Sequence, residues 1–143
     1  MGVVILSAGK ADIPQIKKVL TQYLLETELA KSNIDLFIVA EYNKKIIGCA
    51  CLDNSSDVLE FRSIAVLPGW KNKGVGRKLV NTLRSRARGM SDRLYVRTTA
   101  SGFFSKMGFI ELNNSYKPKI WQDCACCDKL KICKQVPMVL ELR

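Results

Sequence analysis

The feature that most constrains the fold is a strand, a glycine loop and a helix in unbroken succession. An apolar run at 58–66 predicts a strand, which the Leu-Pro-Gly sequence at 67–69 ends. Gly74 and Gly76 let the backbone turn sharply before a helix begins. The positions that predict this helix of about four turns share one apolar stripe: Val75, Leu79, Leu83 and Ala87. Unpaired N–H groups at a helix start attract anions, so the loop at 71–77 predicts a pyrophosphate site.

The loop matches neither of the commoner phosphate motifs. The Walker pattern, in which Lys and Ser or Thr follow the second glycine, does not occur in the chain. The dinucleotide fingerprint needs a third glycine three residues after Gly76, where Leu79 stands. A plain strand-to-helix turn would be the better explanation of two glycines alone. The preceding strand, the proline, the long helix and the surrounding cations favour phosphate binding instead: Lys71, Lys73, Arg77 and Lys78.

The remaining pattern predicts one α/β domain over residues 1–143. Asp12, with Pro14 in the first turn and Gln15 three residues after Asp12, predicts the capped start of a helix. Further strands are predicted at 3–6, 36–40, 46–52, 94–98 and 138–142, and a further short helix at 102–107. This order of elements, β-α-β-β-β-α-β-α-β, implies a mixed sheet with helices on both faces.

Composition excludes several classes of protein. The net charge of +10 favours an anionic partner, or else marks a solvated basic surface. The absence of histidine excludes histidine triads, metal ligands and bases. There is no apolar run long enough to span a bilayer and no basic leader, so we expect a cytoplasmic protein without a membrane partner. A nucleic-acid-binding module would explain the charge but not the glycine loop, and a homodimer stays open.

Six cysteines fall into two groups. Cys49 and Cys51 share one face of a predicted strand, which is typical of packing residues. The segment 121–133 is cysteine-rich, and its four thiols match the number that a tetrahedral zinc ion requires: Cys124, Cys126, Cys127 and Cys133. Their spacing is not a double Cys-x-x-Cys, so zinc, a disulfide and free thiols all stay open.

Two stretches resemble the GNAT N-acetyltransferase family. Residues 66–77, Val-Leu-Pro-Gly-Trp-Lys-Asn-Lys-Gly-Val-Gly-Arg, are similar to the family's acetyl-coenzyme A signature, Gln/Arg-x-x-Gly-x-Gly/Ala after a strand ending in Val-x-Pro. Residues 100–109 resemble its second hallmark, a short helix ending in Gly-Phe. The resemblance covers the element order from about residue 3 to 112. It implies a mixed, mostly antiparallel, splayed sheet flanked by helices, with acetyl-coenzyme A as co-substrate between strands 58–66 and 94–98.

The resemblance also implies which residues contact the cofactor. The backbone of Val66 would pair with the pantetheine arm and polarise the thioester carbonyl. The other implied cofactor contacts are Lys71, Asn72, Lys73, Gly74, Val75, Gly76, Arg77, Phe103 and Phe104. Lys71 departs from the usual Gln or Arg, keeping a charge but losing planar bidentate geometry. Phe104 replaces a Tyr that protonates the departing thiolate, so water, Tyr95, a cysteine or the substrate amine must supply that proton.

The catalytic and acceptor residues follow from the same likeness. Glu60, six residues before Val66, is the candidate general base, or else a salt-bridging strand carboxylate.

The Thr-Thr and Phe-Phe pairs at 98–99 and 103–104 are similar to those of bacterial N-acetylglutamate synthases. This similarity implies glutamate or another amino acid as acceptor and a place in arginine biosynthesis. Arg62, Arg97 and Thr98 would then bind the substrate, or else the arginines are exposed strand residues. A polyamine, an antibiotic, a protein N-terminus, or coenzyme A binding without turnover are the alternatives.

Overall fold

The computed structural model describes residues 2–23, 25, 27–125, 127 and 133–142. Its strands are β1 (Val4–Ser7), β2 (Phe37–Tyr42), β3 (Lys45–Asp53), β4 (Glu60–Val66), β5 (Arg93–Thr98), β6 (Ile110–Glu111) and β7 (Val136–Glu141). Its helices are α1 (Ile13–Thr21), α2 (Glu28–Ser32), α3 (Val75–Ala87), α4 (Ser101–Lys106), α5 (Lys117–Ile120) and α6 (Gln122–Ala125). The strands form one sheet in the order β1-β2-β3-β4-β5-β7-β6. Strands β4 and β5 are parallel, whereas the pairs β1–β2, β2–β3, β5–β7 and β6–β7 are antiparallel, which confirms the predicted mixed, mostly antiparallel α/β fold.

The chain divides into two compact units. The first consists of Met1–Asp53 and Arg62–Arg86, and the second of Asn54–Phe61 and Ala87–Arg143. Strand β4 contributes to both, because its first two residues belong to the second unit and the rest belong to the first. The prediction of a single domain over residues 1–143 stays a prediction.

The first unit is built around β3, whose residues after Lys45 are all buried. Helix α1 packs Ile16, Val19 and Leu20 into the core on its apolar face, as the spacing predicts. Asp12 lies at the N-cap position, but its carboxylate does not cap α1 and instead accepts the Gly9 N–H at 2.8 Å. The predicted start of the helix at Asp12 is therefore confirmed, but the predicted cap by its side chain is wrong. Gln15 does not reach back to the cap either, since its Oε1 accepts the Ile46 N–H at 3.1 Å and ties α1 to β3.

The second unit shows the period-two pattern of a strand buried mainly on one face. On β5, Leu94, Val96 and Thr98 are buried, while Tyr95 and Arg97 on the other face are half-buried. All six residues of β5 pair with β7 in continuous antiparallel register. This register fixes the depth at which each side chain of the half-buried face lies.

The elements that the sequence does not predict are the short ones. Helix α2 has five residues, α5 and α6 have four each, and β6 has two. Each is too short to repeat its apolar pattern, and that repetition is the signal that predicts a helix or strand. Strand β4 begins at Glu60 rather than at residue 58, although the Leu59 carbonyl already accepts the Tyr95 N–H at 3.0 Å.

Candidate functional site

The glycine loop of the first unit has a backbone that fits an anion. Asn72 and Gly74 both lie in the left-handed region, with φ of 62° and 82°. The Lys78 N–H bonds to the Gly74 carbonyl at 3.2 Å and begins the hydrogen-bond ladder of α3. The N–H groups of residues 75–77 therefore precede the ladder and have no partner inside the helix. A Cβ on Gly74 would meet nothing within 4 Å, so this side of the loop is open.

The end of β4 is held by contacts within the same unit. The Leu67 N–H bonds to the Ile47 carbonyl at 2.8 Å, which anchors the loop to β3. The Tyr23 hydroxyl donates a hydrogen bond to the Val66 carbonyl. Because Tyr23 and Val66 are 43 positions apart, no local pattern in the sequence reveals this contact. Tyr23 thus positions the residue whose backbone is expected beside the thioester.

The loop is strongly cationic. Lys71 Nζ lies 4.6 Å above the centroid of the Tyr23 ring, and Lys73 Nζ lies 5.5 Å above that of Trp70. The Trp70 ring contacts Tyr42 with a centroid distance of 4.8 Å. Residues 61–91 contain no Asp or Glu but eight cations: Arg62, Lys71, Lys73, Arg77, Lys78, Arg84, Arg86 and Arg88. The stretch gives the loop a positive potential that favours an anionic ligand.

The second unit holds a buried ion-pair cluster centred on Arg97. Its Nε and Nη2 donate to the two oxygens of Glu60 at 2.9 and 3.0 Å, a bidentate pair. Its Nη1 donates to Asp123 Oδ2 at 2.8 Å and lies 3.3 Å from Cys124 Sγ. Burial pulls the pKa of the Arg97 guanidinium down, but the hydrogen bonds to Glu60 and Asp123 outweigh it and raise the pKa above its ordinary value.

An aromatic pair supports this guanidinium. The centre of the Arg97 guanidinium lies 4.7 Å from the centroid of the buried Trp121 ring. Tyr95 meets Trp121 edge-on, with a centroid distance of 6.1 Å. A groove of about 320 Å³ continues along the same face of β5, where Tyr95, Tyr116 and Ile120 line it. Both aromatic contacts limit how far the planar head group of Arg97 can turn.

The sequence allows two roles for Glu60, a general base or a salt-bridging carboxylate. Its side chain is almost fully buried, and both of its oxygens accept hydrogen bonds from Arg97. This geometry is that of the salt-bridging alternative, although a catalytic role stays a prediction. Because the two residues are 37 positions apart, no local pattern in the sequence reveals the pair.

The other predicted site residues have defined structural roles. Thr98 is buried, and its hydroxyl accepts the Ala100 N–H at 2.8 Å, so it forms the turn into α4. Phe104 is buried in an aromatic cluster with Phe61, Phe103 and Phe109, at centroid distances of 5.5, 5.1 and 5.2 Å. These contacts explain how phenylalanine is accommodated there. They do not test its predicted contact with the cofactor.

The two groups of cysteines differ in environment. Burial, helped by the neighbouring Cys51, raises the pKa of Cys49 to about 12. Burial likewise raises the pKa of Cys51 to about 12, against the lowering effect of Ser63 and Arg62, so Arg62 lies close enough to Cys51 to act on it. Both thiols therefore stay protonated and act as packing groups.

The cysteine-rich segment is only partly described. Cys124, Cys127 and Cys133 are free thiols, and Cys126 lies outside the described residues. In the described part of the chain, no group of three or more potential ligands is placed to hold a metal ion. The four-cysteine zinc site therefore stays a prediction. Among the helices of the described residues, none is both long and apolar enough to cross a bilayer.

Comparison with known proteins identifies relatives along almost the whole chain. Residues 33–111 match the family model of the acetyltransferase (GNAT) domain. An uncharacterized N-acetyltransferase of Chlorobaculum tepidum is 34% identical over 95% of this chain and 94% of its own. The amino-acid acetyltransferase of Mycobacterium tuberculosis is 32% identical over 78% of this chain and 71% of its own.

A solved structure agrees with these sequence matches. A Mycobacterium tuberculosis protein, crystallised in complex with CoA and a second ligand, superposes with a TM-score of 0.82. The alignment covers 98% of this chain and 99% of that one, at 25% identity.

Proposed function

Because this chain belongs to the GNAT acetyltransferase family and is an acetyl-CoA-dependent N-acetyltransferase, we propose that its acceptor is an amino acid that bears a carboxylate. Glutamate, acetylated on its α-amino group, is the first candidate. The observation that carries this proposal is Arg97, a buried guanidinium that already binds a carboxylate at its solvent side, Asp123. The name of the Mycobacterium tuberculosis relative, an amino-acid acetyltransferase, supports the same class of acceptor.

The acceptor requires a site that recognises both its charge and its body. Arg97 supplies the charge recognition, because a guanidinium matches a carboxylate in geometry as well as in sign. The groove beside Tyr95 has the volume of a small-molecule site and offers apolar and aromatic walls to the rest of the acceptor. Glutamate has a second carboxylate, which most amino acids lack, and the binding of this carboxylate by Arg62 stays a prediction.

The loop of the first unit is the proposed site of the cofactor's phosphates. When bound, coenzyme A supplies the acetyl group as a thioester. The N–H groups of residues 75–77 and the left-handed turn at Asn72 and Gly74 would hold the pyrophosphate, with Lys71 and Lys73 adding charge. Tyr23, through the Val66 carbonyl, would keep the end of β4 in place for the thioester carbonyl.

The proton of the acceptor amine needs a base, and Glu60 remains the proposed one. Its pair with Arg97 occupies both oxygens, so proton transfer would have to compete with that pair. The variant Glu60→Gln separates the two roles. Loss of a base lowers kcat by about a hundredfold and removes the acid limb of the pH profile, whereas loss of positioning alone raises the KM of glutamate. An unchanged pH profile would exclude Glu60 as the base.

The test of the acceptor is a panel of amines with acetyl-CoA, in which thiol release is followed continuously. The protein's own thiols, such as the exposed Cys127, react once and stoichiometrically, so turnover appears as the steady phase. We expect glutamate to give the highest kcat/KM, followed by aspartate, and putrescine and the α-amide of glutamate to give little. A higher kcat/KM for putrescine or another amine without a carboxylate would overturn the proposal.

A further inference from the structure

Arg97 binds its two carboxylates in unequal ways. The Glu60 side chain is 6% exposed and holds the guanidinium with two parallel hydrogen bonds. The Asp123 side chain is 67% exposed and accepts a single hydrogen bond from Arg97, through Nη1. A buried bidentate partner is costly to remove, whereas an exposed partner contributes little and returns to water easily. The two carboxylates are therefore a permanent partner and an exchangeable one.

We propose that Asp123 is a placeholder for the carboxylate of the acceptor. In the acceptor-free enzyme it occupies Arg97 Nη1, and the incoming carboxylate displaces it. This inference rests on the proposed function, in which the acceptor bears a carboxylate. One carboxylate replaces another at Nη1, so Arg97 is bonded to the same number of carboxylates before and after the exchange. No covalent bond is made or broken and no proton is transferred.

The other contacts of Arg97 hold its guanidinium in place while Asp123 is exchanged. The Glu60 fork and the Trp121 ring fix the plane of the guanidinium, so the Nη1 hydrogens stay in place when Asp123 leaves. The Cys124 sulfur, 3.3 Å from the same nitrogen, is a weak acceptor and cannot replace an oxygen anion. The vacated Nη1 therefore needs another anionic oxygen, which the acceptor supplies.

The placeholder affects only acceptors that carry a carboxylate. An amine without a carboxylate gains nothing at Arg97 and leaves Asp123 in position. An acceptor with a carboxylate must outcompete Asp123, so its apparent affinity is lowered by the fraction of time that Asp123 occupies the site. Asp123 thus lowers the apparent affinity only of acceptors that carry a carboxylate, and it keeps Arg97 Nη1 paired when no such acceptor is bound.

The test compares the full-length wild type with Asp123→Asn, which keeps the size of the side chain and removes its charge. The dissociation constant of glutamate, measured by calorimetry, should fall about two- to fivefold, the range expected when an exposed ion pair is lost as a competitor. The KM of glutamate should fall by the same factor, with kcat unchanged. Asp123→Glu keeps the competing charge and should retain the wild-type constants.

The control is Glu111→Gln, which removes an exposed carboxylate of the same unit that lies outside the cluster and the groove. Unchanged or weaker glutamate binding in Asp123→Asn would overturn the placeholder role, and so would equal tightening in Glu111→Gln. If glutamate binds to neither the wild type nor Asp123→Asn, the role is also overturned. If glutamate binds and tightens as expected but no amino acid is acetylated, the proposed acceptor is wrong and the placeholder stands.

Discussion

The glycine loop of the first unit and the Arg97 cluster of the second offer anions opposite kinds of partner. The loop presents backbone N–H groups and exposed lysines, and the turn at Asn72 and Gly74 sets its shape. The cluster presents one buried side chain whose position depends on Glu60 and Trp121. A site made of backbone tolerates many side-chain changes but few changes of dihedral angle. A site made of one paired charge tolerates almost no change of that residue.

The largest effect on stability should come from removing Arg97, the single side chain on which the cluster depends. Arg97→Ala leaves the buried Glu60 carboxylate without its bidentate partner, so the free energy of unfolding should fall by about 3–5 kcal/mol. Urea denaturation measures this loss. The double variant Arg97→Met with Glu60→Leu removes both charges and should recover most of the stability. A double variant no more stable than Arg97→Ala would contradict the pairing.

The first unit buries ionisable groups too, but in neutral form, and pH should reveal the difference. Cys49 and Cys51 have pKa values raised from 9.0 to about 12. Below pH 9 the folded and unfolded states both keep these protons, so the thiols contribute no pH dependence. Above it the unfolded state loses them first, and stability falls as pH rises towards 12.

The comparison variant for this pH effect is the double substitution Cys49→Ala and Cys51→Ala. From pH 8.5 to 10, the stability of the wild type should fall by roughly 2 kcal/mol more than that of the double variant. Denaturation curves at both pH values give the difference. If the free energy of unfolding falls by the same amount in both proteins, burial does not raise the pKa values of the two thiols.

The loop should be sensitive to its dihedral angles. Gly74→Ala puts a side chain at a φ of 82°, which should cost about 1–2 kcal/mol of stability and shift the amides that face the cofactor. We expect the Kd of coenzyme A to rise about tenfold. Gly69→Ala, two residues before the loop and without a positive φ, is the matched control and should be close to neutral. If both variants bind coenzyme A as the wild type does, the turn does not shape the site.

The smallest effect should come from a single loop cation. Lys71→Ala removes one exposed charge and its contact with the Tyr23 ring, so the Kd of coenzyme A should rise by no more than about fivefold. Titration by calorimetry gives this ratio, and Lys31→Ala, an exposed lysine on α2, is the control. A hundredfold rise of the Kd in Lys71→Ala would contradict the comparison, because the loop would then depend on one side chain as the cluster does.

The sequence predicts the loop far better than the cluster. The loop is contiguous, so its glycines and the helix that follows are visible within one short window. The cluster joins residues that are 37 and 26 positions apart, and only the folded chain brings Glu60 and Asp123 to Arg97. The sequence can therefore offer Glu60 as a base or as an ion pair without choosing between them. The Tyr23 contact with Val66, across 43 positions, is missed for the same reason.

The fold follows the same rule. Strands β2, β3 and β5 and helix α3 lie within two residues of their predicted bounds because each is long enough to repeat its apolar pattern. Helices α2, α5 and α6 and strand β6 are too short to repeat theirs. Asp12 shows a further limit, since a side chain suited to capping one turn bonds to a neighbouring one instead.

The acid-free stretch at 61–91 has a kinetic consequence for the encounter with the cofactor. Eight cations without an intervening acid create a field that draws a polyanion in before any shape is recognised. At physiological ionic strength this attraction reaches about 8 Å from the surface, and it shrinks as salt is added. At the proposed cofactor site, the association rate of coenzyme A should therefore depend on salt, while the backbone of the loop should set its dissociation rate. Capture and retention would then be tasks of different atoms in the same segment.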